Sequence, residues 1–448
     1  MNGFKDIFLK CADILGGEAG LQRGGAFSEA MNLLEALGGQ PDDVGEAVDP
    51  AQHENLRSLL ALAARCDDLF SLDMPHAPGA SFVGAKFCAQ SFGINGHGSQ
   101  VVGAAGRGLT FKQAFESCLG ETAEYLSFIE RDNDPIGEAS RVADNYTPSV
   151  ANWVAAGLGL QSVEELANLE HVEARSLGSE TTKTFPVELV LRRPEHKRLS
   201  PRAAHSNGVA AGKTIADAVR SGILELIERD AMMLWWYGGN PANTISNGAA
   251  WGKEFLSFIA GCREGSGRVC WFLDISSDVP VPVIAAFSSH VDGSSVVGGF
   301  AANPDPRIAA TRAFLEMCQM ELAQQISCDK QSYLDDDQLS AQDRIWIERD
   351  RQLSIDNFPR LKRASTLESL SAHAPNGAER ELAKVLDVAG FEAFVVDLTR
   401  PDIGIPTARI IIPALQGTDL TWKSERLLAA ARKNDFELPI RPETVSPF

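Results

Sequence analysis

The sequence predicts an α/β protein in which helices pack on mixed β-sheets. Two observations lead to this prediction. The first 75 residues show mainly helical periodicity, as in residues 26–39 and 53–72. After the Pro- and Gly-containing segment 73–81, runs rich in β-branched and aromatic residues alternate with helix-like runs. We therefore expect a short helical N-terminal region, 1–75, followed by one α/β domain, 76–448.

Each predicted element has its own local signal. Three helices are predicted to start near residues 110, 214 and 305, and the proline-containing tail is expected to be extended. Six runs are predicted as strands because β-branched and aromatic residues dominate them: 185–193, 269–276, 281–289, 294–302, 393–399 and 408–415.

Composition and charge exclude several classes of function. Among 448 residues, 60 Asp and Glu outnumber 41 Lys and Arg, which gives a formal net charge of −19. So acidic a surface disfavours nucleic acid or an anionic membrane as a partner. A small anionic ligand remains compatible with it if a few arginines and a divalent cation hold that ligand locally.

The cysteines and the N-terminus indicate a reducing compartment. None of the eight cysteines forms a C-x-x-C motif or a zinc-type spacing with histidine. The first residues, MNGFKDIFLKCADILGG, lack the uninterrupted apolar core of a signal peptide, and no run approaches the length of a transmembrane helix. We expect a cytoplasmic protein.

Two of the predicted helices repeat one pattern. Residues 108–124 (GLTFKQAFESCLGETAE) and 212–228 (GKTIADAVRSGILELIE) share Gly, Thr, Ala, Ser, Glu and Glu at a constant offset of 104. A third run, 305–316 (DPRIAATRAFLE), aligns its Asp, Ala and first Glu with the shared Thr, Ala and first Glu. The N-caps are predicted to be Thr110, Thr214 and Asp305, with Pro306 at a first helical position and Gln113 completing a capping box.

The repeated glutamates predict a metal site. They lie about three turns inside each helix, where the N-terminal dipole no longer supports their charge. Clustered carboxylates repel one another, and hard oxygen ligands favour Mg²⁺, which usually binds a nucleotide's phosphates as well. Solvated helix edges or structural salt bridges are the alternative. The predicted ligands are Glu121, Glu124, Glu225, Glu228 and Glu316, with Arg229 and Arg312 as candidate phosphate contacts.

A nearby glycine-rich segment imitates a P-loop. In NGVAAGKT (207–214), three residues separate the two glycines, whereas a P-loop requires four. We therefore interpret Gly212 to Thr214 as a helix start. Asn207 remains open between a nucleotide contact and a turn-forming residue.

These motifs together resemble the YcaO family. GRGLTFKQAFESCLGETAEYLSF and SNGVAAGKTIADAVRSGILELIERDAMMLWW are similar to its two E-x-x-E helices, NPDPRIAATRAFLEMCQ to its R-x-x-x-E helix, and DLTRPDIGIPTARIIIPALQ to its C-terminal strands. The resemblance implies a YcaO-like fold with an ATP and Mg²⁺ site. It implies nucleotide contacts at Arg107, Ser117, Asn207, Arg229 and Arg312, Mg²⁺ at the five glutamates, and catalysis by Glu225, Glu228 and Arg229 with the tail at Pro447.

Two positions depart from the family pattern. Tyr125 stands where an arginine usually follows the first glutamate pair, and the usual lysine before the first helix is Arg107. The prolines of the tail, Pro439, Pro442 and Pro447, are more widely spaced than in the family's P-x-P-x-P ending.

The resemblance also implies an activity and partners. Such a cyclodehydratase phosphorylates a backbone amide oxygen of a ribosomal precursor peptide and forms thiazoline or oxazoline rings from Cys, Ser or Thr, as in bacteriocin biosynthesis. A separate ThiF-like leader-binding protein, a flavin-dependent dehydrogenase and a homodimer within a larger complex are the implied partners. Thioamide formation with a TfuA-type partner, amidine formation, and a catalytically silent scaffold are the alternatives.

Overall fold

The computed structural model describes residues 2–15, 25–38, 50–94, 101–137, 146–199, 206–245, 251–362, 379–420, 422–438 and 446–447. Its contacts divide the chain into two compact units. The first unit comprises Met1–Asp73, Ser81–Gly222 and Ala393–Ile411, and the second comprises Met74–Ala80, Ile223–Glu392 and Ile412–Phe448. The boundary expected after residue 75 stays a prediction.

The mixed α/β architecture is confirmed. The helices are α1 (Asn2–Leu15), α2 (Gly25–Ala36), α3 (Pro50–Arg65), α4 (Phe111–Phe128), α5 (Pro148–Leu158), α6 (Val187–Val190), α7 (Ile215–Trp236), α8 (Gly252–Cys262), α9 (Pro306–Tyr333), α10 (Ala341–Gln352), α11 (Glu379–Val388) and α12 (Glu425–Lys433). The strands are β1 (Asp68–Leu72), β2 (Ser81–Cys88), β3 (Val101–Gly108), β4 (His171–Ser176), β5 (Thr182–Pro186), β6 (Val209–Ala211), β7 (Asn243–Thr244), β8 (Val269–Asp274), β9 (Val283–Ser289), β10 (Val297–Ala302), β11 (Phe394–Asp397) and β12 (Thr407–Ile411).

The first unit holds two antiparallel sheets. Strands β1, β2 and β3 form one, and helices α1 to α4 share a buried apolar core with strand β2. The helical character of the N-terminal region is thereby confirmed. The second sheet has the order β5-β4-β11-β12-β6, and its core includes side chains of α5 and α6.

Two sequence predictions in this unit are wrong in part. The helix predicted over 53–72 ends at Arg65, and Asp68–Leu72 pairs as strand β1 with β2, because consecutive aspartates after Cys66 favour a turn over another helical turn. The strand predicted over 185–193 ends at Pro186, whose missing N–H prevents it from donating to the ladder, and Val187–Val190 forms helix α6.

The second unit is built around the antiparallel sheet β10-β9-β8-β7. Trp235 of α7 lies against Phe287 and Phe300, with ring centroids 5.8 and 6.3 Å apart. Helix α7 starts in the first unit, because residues up to Gly222 belong there, and continues into the second. The other five predicted strands and the three predicted helix starts are confirmed.

The proline-containing tail is described only in part. Of the tail, residues 439–445 and 448 lie outside the described part, so the prediction for Pro439 and Pro442 stays open. Ser446 and Pro447 have neither helix nor strand geometry. Within the described ranges, no helix is both long and apolar enough to cross a membrane.

Candidate functional site

The three repeated helices begin as predicted. Thr110 Oγ1 accepts from Gln113 N at 3.3 Å, Thr214 Oγ1 accepts from Asp217 N at 3.1 Å, and Asp305 Oδ1 accepts from the backbone N of the second helical residue at 2.8 Å. Pro306 occupies the first position of α9. The predicted capping box differs by one residue, since the Gln113 side chain accepts from Leu109 N at 2.9 Å instead of from Thr110.

Two shared glycines explain why the first two helices repeat each other so closely. A Cβ atom on Gly108 would lie 2.4 Å from Gln113 Cβ, and one on Gly212 would lie 2.4 Å from Ala218 N. Gln113 and Asp217 occupy equivalent places, as do Ala114 and Ala218. In both copies the chain therefore passes so close to its own helix that only glycine fits.

Backbone amides of the first unit hydrogen-bond both members of the first glutamate pair, on α4. Glu121 Oε2 accepts from Ala105 N at 3.3 Å, and its other oxygen lies 3.9 Å from Arg107 Nη1. Glu124 Oε1 accepts from Ala211 N at 2.8 Å. Both glutamates are half-buried. Backbone N–H groups and one arginine thus support the ionised carboxylates.

Two further predicted nucleotide contacts also lie in the first unit. Ser117 is half-buried on α4, one turn before Glu121. Asn207 is half-buried in the turn before β6, and its carbonyl accepts from Arg409 Nη1 at 2.5 Å. Arg409 is 8% exposed on β12 and therefore ties this turn to the sheet.

The second glutamate pair, on α7, is held by an arginine of the same helix. Arg229 Nη1 lies 3.2 Å from Glu228 Oε1, and its Nε lies 3.8 Å from Glu225 Oε1. Burial alone would lower the pKa of Arg229, but the carboxylates of Glu228, Glu225 and Glu316 outweigh it and raise the pKa. Arg229, predicted as a phosphate contact, is thus also the counter-ion of three predicted metal ligands.

The third helix contributes two predicted residues in the second unit. Glu316 is half-buried on α9 and interacts electrostatically with Arg229. Arg312, one turn earlier, is exposed. Pro447 is buried, and its carbonyl oxygen would lie 3.0 Å from a Cβ atom on Gly298 of β10. The end of the tail therefore lies against the sheet of the second unit.

Tyr125, the departure from the family pattern, is a half-buried residue that packs against the core. Its ring packs edge-on against Phe87 with centroids 5.5 Å apart, at the border of the cluster that α1 to α4 form with β2. The guanidinium carbon of Arg192 lies 5.1 Å from the centre of the Tyr125 ring. Sequence reasoning missed Arg192, because nothing in the chain between α4 and residue 192 marks it as a partner of Tyr125.

Asp230 is the last charged residue of the motif ELIERD, and its contacts are structural. It is fully buried, and its carboxylate accepts from Gln416 N at 2.8 Å and from Arg426 Nη2 at 2.8 Å. Arg426 also contacts Asp278. Asp230 is therefore a structural clamp on α7, and it is not a candidate ligand.

The donor set fits a hard divalent cation in its chemistry. Half-buried carboxylate oxygens are the ligands that Mg²⁺ prefers. In the part of the chain that the structure describes, no three His, Cys, Asp or Glu side chains already converge as a metal site. An arginine lies near a carboxylate of each helical pair instead: Arg107 near Glu121 on α4, and Arg229 against Glu228 on α7. The ligand roles of the five glutamates stay a prediction.

The comparison with protein families decides the classification. A family model described as YcaO cyclodehydratase, ATP- and Mg²⁺-binding, matches residues 105–416. The chain belongs to the YcaO family. ATP and Mg²⁺ are the cofactors of this family.

Two relatives are named only as uncharacterised proteins. A protein of Methanothermobacter thermautotrophicus is 27% identical over 322 residues, which cover 70% of this chain and 81% of that protein. A protein of Rhizobium leguminosarum bv. trifolii, named only for its place in the tfuA 3′ region, is 27% identical over 235 residues, which cover 47% of this chain and 52% of that protein.

Solved structures share the fold. A heterocyclase in complex with substrate and cofactor superposes with a TM-score of 0.68 at 23% identity, and the match covers 91% of this chain and 58% of the heterocyclase. This chain therefore spans less than two thirds of that protein. A YcaO protein from Methanopyrus kandleri bound with AMPPCP and Mg²⁺ superposes with a TM-score of 0.60 at 20% identity, covering 87% of this chain and 95% of that one.

Proposed function

We propose that this YcaO protein is an ATP- and Mg²⁺-dependent cyclodehydratase that activates a backbone amide of a precursor peptide. A Cys, Ser or Thr side chain would attack the preceding carbonyl carbon, the amide oxygen would take the γ-phosphate of ATP, and phosphate would leave to give a thiazoline or oxazoline. Family membership supports the general class of activity. The ring chemistry is the finer part of the proposal.

One observation carries the proposal. The Ser-x-x-x-Glu-x-x-Glu pattern stands on one face of α4 and again on one face of α7, and both glutamate pairs are half-buried or buried with nitrogen donors against them. Purely structural salt bridges do not require the same spacing twice. A repeated pattern of partly desolvated carboxylates is what binding of a cation and a polyphosphate requires.

Each predicted site residue has a proposed role. Glu121, Glu124, Glu225, Glu228 and Glu316 would hold Mg²⁺, which neutralises phosphate charge when bound. Ser117 and Asn207 would orient the nucleotide, while Arg107 and Arg312 would contact phosphate oxygens. Glu225, Glu228 and Arg229 would act at the reacting phosphate, and Pro447 would place the tail beside them. When Mg²⁺ binds the carboxylates, the Arg229 guanidinium would contact a phosphate oxygen instead of a carboxylate. The phosphate group carries more negative charge than a carboxylate.

A second candidate is thioamide formation with a TfuA-type partner and an external sulfur donor. The relative from Rhizobium leguminosarum takes its name from the region 3′ of tfuA, which is the observation that favours this alternative. Amidine formation would use the same activated amide with an amine as nucleophile. A silent scaffold is the alternative of another class, and the retained glutamates argue against it.

The comparisons support a peptide substrate and a multi-chain complex, and the individual partners are proposed from the family resemblance. Two structural relatives are Escherichia coli microcin synthetase McbBCD complexes, one of them with pro-MccB17 bound, and each superposes with a TM-score of 0.58 at 14–15% identity. By analogy we propose a precursor peptide as substrate and a separate ThiF-like leader-binding chain. A flavin-dependent dehydrogenase for azole formation and a homodimer within the complex complete the proposal.

Mass spectrometry of the precursor peptide tests the chemistry. After incubation with the complex, ATP and Mg²⁺, ring formation removes one water per modified residue, whereas thioamidation replaces one oxygen by sulfur and adds mass. We expect the loss of water. Gain of mass that depends on a sulfur donor would establish the alternative.

Calorimetry tests the nucleotide site independently of any peptide. We expect binding of ATP in the presence of Mg²⁺ and much weaker binding with EDTA. Absence of nucleotide binding under both conditions would identify a scaffold, because a scaffold has no need to retain the site.

A further inference from the structure

Strand β6 follows the turn that contains one predicted nucleotide contact. β6 is three residues long and lies at the edge of the five-stranded sheet, where it pairs with Thr407–Arg409 of β12. Asn207, the predicted contact, stands two positions before the strand. Its turn is closed by a hydrogen bond from Val209 N to Ser206 O at 2.8 Å. Because a short edge strand has few contacts of its own, the position of Asn207 depends on what holds this turn.

The turn is of type II, which fixes the orientation of its central peptide. Gly208, at the third position of the turn, has a φ of +85°, whereas Asn207, at the second position, keeps a negative φ. This combination distinguishes type II from the other common turns. Types I and II differ by a flip of the central peptide, which changes ψ of the second residue by about 150° and reverses its carbonyl. The conformation of Asn207 therefore depends on the partner of its own carbonyl.

A buried arginine of β12 holds that carbonyl. Arg409 is 8% exposed, and its Nη1 donates to Asn207 O at 2.5 Å. Its guanidinium carbon lies 5.6 Å from the centre of the Phe128 ring, at the end of α4. The backbone of the next residue adds a second bond, since Ile410 N donates to Gly208 O at 2.7 Å. Two successive carbonyls of the turn are thus bonded by two successive residues of β12.

The arginine type suits the task of orienting a peptide. A guanidinium makes a charge-assisted bond to a carbonyl, which is stronger than a neutral one, and its plane is held in place by an aromatic ring beneath it. Burying a cation is costly, and an apolar residue of similar shape would avoid that cost. Thr407 and Ile411, which share this face of β12, are buried without any charge. The charge of Arg409 is therefore better explained by what it bonds than by packing.

We propose that Arg409 is a positioning residue of the nucleotide site, and that it acts through the Asn207–Gly208 peptide. Its bond to the Asn207 carbonyl keeps the type II turn, and the turn holds Asn207 where its side-chain amide bonds the nucleotide. The inference rests on the proposed function, in which Asn207 orients ATP. In this role Arg409 touches neither nucleotide nor metal, so its loss lowers ATP affinity only while Asn207 keeps its amide.

Calorimetry with ATP and Mg²⁺ on the full chain tests the proposal. Arg409→Met keeps an apolar stem but removes the donor, and we expect it to raise the Kd for ATP at least about tenfold. Arg198→Met is the matched control, because Arg198 Nε donates to another backbone carbonyl of the first unit, that of Arg193, at 2.7 Å. The control should leave the Kd unchanged. A folded Arg409→Met protein with the Kd of the wild type would overturn the proposal.

A double-mutant cycle shows whether Arg409 acts through Asn207. Asn207→Ala removes the side-chain amide but keeps the backbone carbonyl that Arg409 bonds. If Arg409 serves to orient that amide, Arg409→Met should change the Kd less than about twofold in the Asn207→Ala background. An equal loss of affinity in both backgrounds would refute the proposal, because Arg409 would then support the site by another route.

Gly208→Ala reaches the same peptide without removing a buried charge. Alanine disfavours a positive φ and therefore favours the flipped central peptide of a type I turn. We expect this variant also to bind ATP about tenfold more weakly, which keeps the proposal testable if Arg409→Met fails to fold. Wild-type affinity of Gly208→Ala would show that the orientation of this peptide does not matter for the nucleotide.

Hydrogen exchange without nucleotide separates this proposal from the function on which it rests. The Val209 amide closes the turn, and its exchange should become at least about tenfold faster in Arg409→Met but not in Arg198→Met. Unchanged exchange would refute the role of Arg409 at the turn and leave the proposed function intact. Wild-type protein that binds no ATP with Mg²⁺ would instead refute the proposed function, and with it the nucleotide site that Arg409 serves.

Discussion

Helices α4 and α7 carry the same glutamate spacing but support it differently. On α4, backbone N–H groups of Ala105 and Ala211 hold the two carboxylates. On α7, the guanidinium of Arg229 lies against both. The residue that follows the first pair is Tyr125, which is half-buried and packs against the core. Backbone dipoles hydrogen-bond the first pair, with Arg107 only 3.9 Å from Glu121, whereas the guanidinium of Arg229 contacts both carboxylates of the second. Removal of the Arg229 charge should therefore be felt on α7.

The largest effect should come from removing one charge of the second pair. We expect Glu225→Gln to lower turnover about 10³-fold, on the order of 4 kcal/mol, because an amide is a poor magnesium ligand of nearly the same volume. Precursor conversion followed by mass spectrometry measures this. Glu116→Gln, an α4 glutamate near Lys112 and Lys213, is the matched control and should retain activity. Normal turnover by Glu225→Gln would show that Glu225 is not a ligand.

The next effect concerns the counter-ion itself. Arg229→Met should lower the free energy of unfolding by about 2–3 kcal/mol without metal, since Glu228 is only 11% exposed at its side chain and loses its partner. Added Mg²⁺ should recover part of this loss by taking the place of the guanidinium. Urea unfolding with EDTA measures the loss of unfolding free energy, and urea unfolding with MgCl₂ measures its recovery. Equal loss in both conditions would mean that metal does not bind these carboxylates.

A substitution at Tyr125 makes the first helix resemble the second. We expect Tyr125→Arg to destabilise the fold by about 1–3 kcal/mol, because the guanidinium would be placed against Phe87 and near Arg192. Thermal unfolding measures it, with Tyr125→Phe as the variant that keeps the ring. An arginine variant of unchanged stability and tighter ATP binding would show that this position faces the nucleotide.

The smallest effect should come from the cation above that ring. Arg192→Met removes the contact with Tyr125 and should cost about 0.5–1 kcal/mol in unfolding free energy. A double-mutant cycle with Tyr125→Leu isolates the pair. A coupling energy near zero would show that Arg192 stabilises the fold through other contacts.

Local sequence signals predicted most of the elements that carry the candidate residues. N-caps at Thr110, Thr214 and Asp305 and the repeated motif located the starts of α4, α7 and α9, because a cap depends only on neighbours within one turn. The short helix α6 escaped prediction, since its four residues are as β-prone as those of the strand before it. Burial in the core around Phe185 and Phe394 decided its conformation.

The partners of the glutamates were beyond sequence reasoning. Ala105 and Ala211 act through backbone N–H groups, which any residue except proline provides, and they lie 16 and 87 positions from the glutamates they bind. No residue type marks such a contact.

The clamp on Asp230 has a consequence for recombination between YcaO genes. Asp230 and Arg426 lie 196 positions apart in the chain, yet their ion pair fixes one face of α7 next to Arg229. A crossover anywhere in that interval joins an aspartate from one parent to a C-terminal helix from another. Chimaeras should therefore be active only when both parents supply the same acid and arginine, however well their glutamate motifs match.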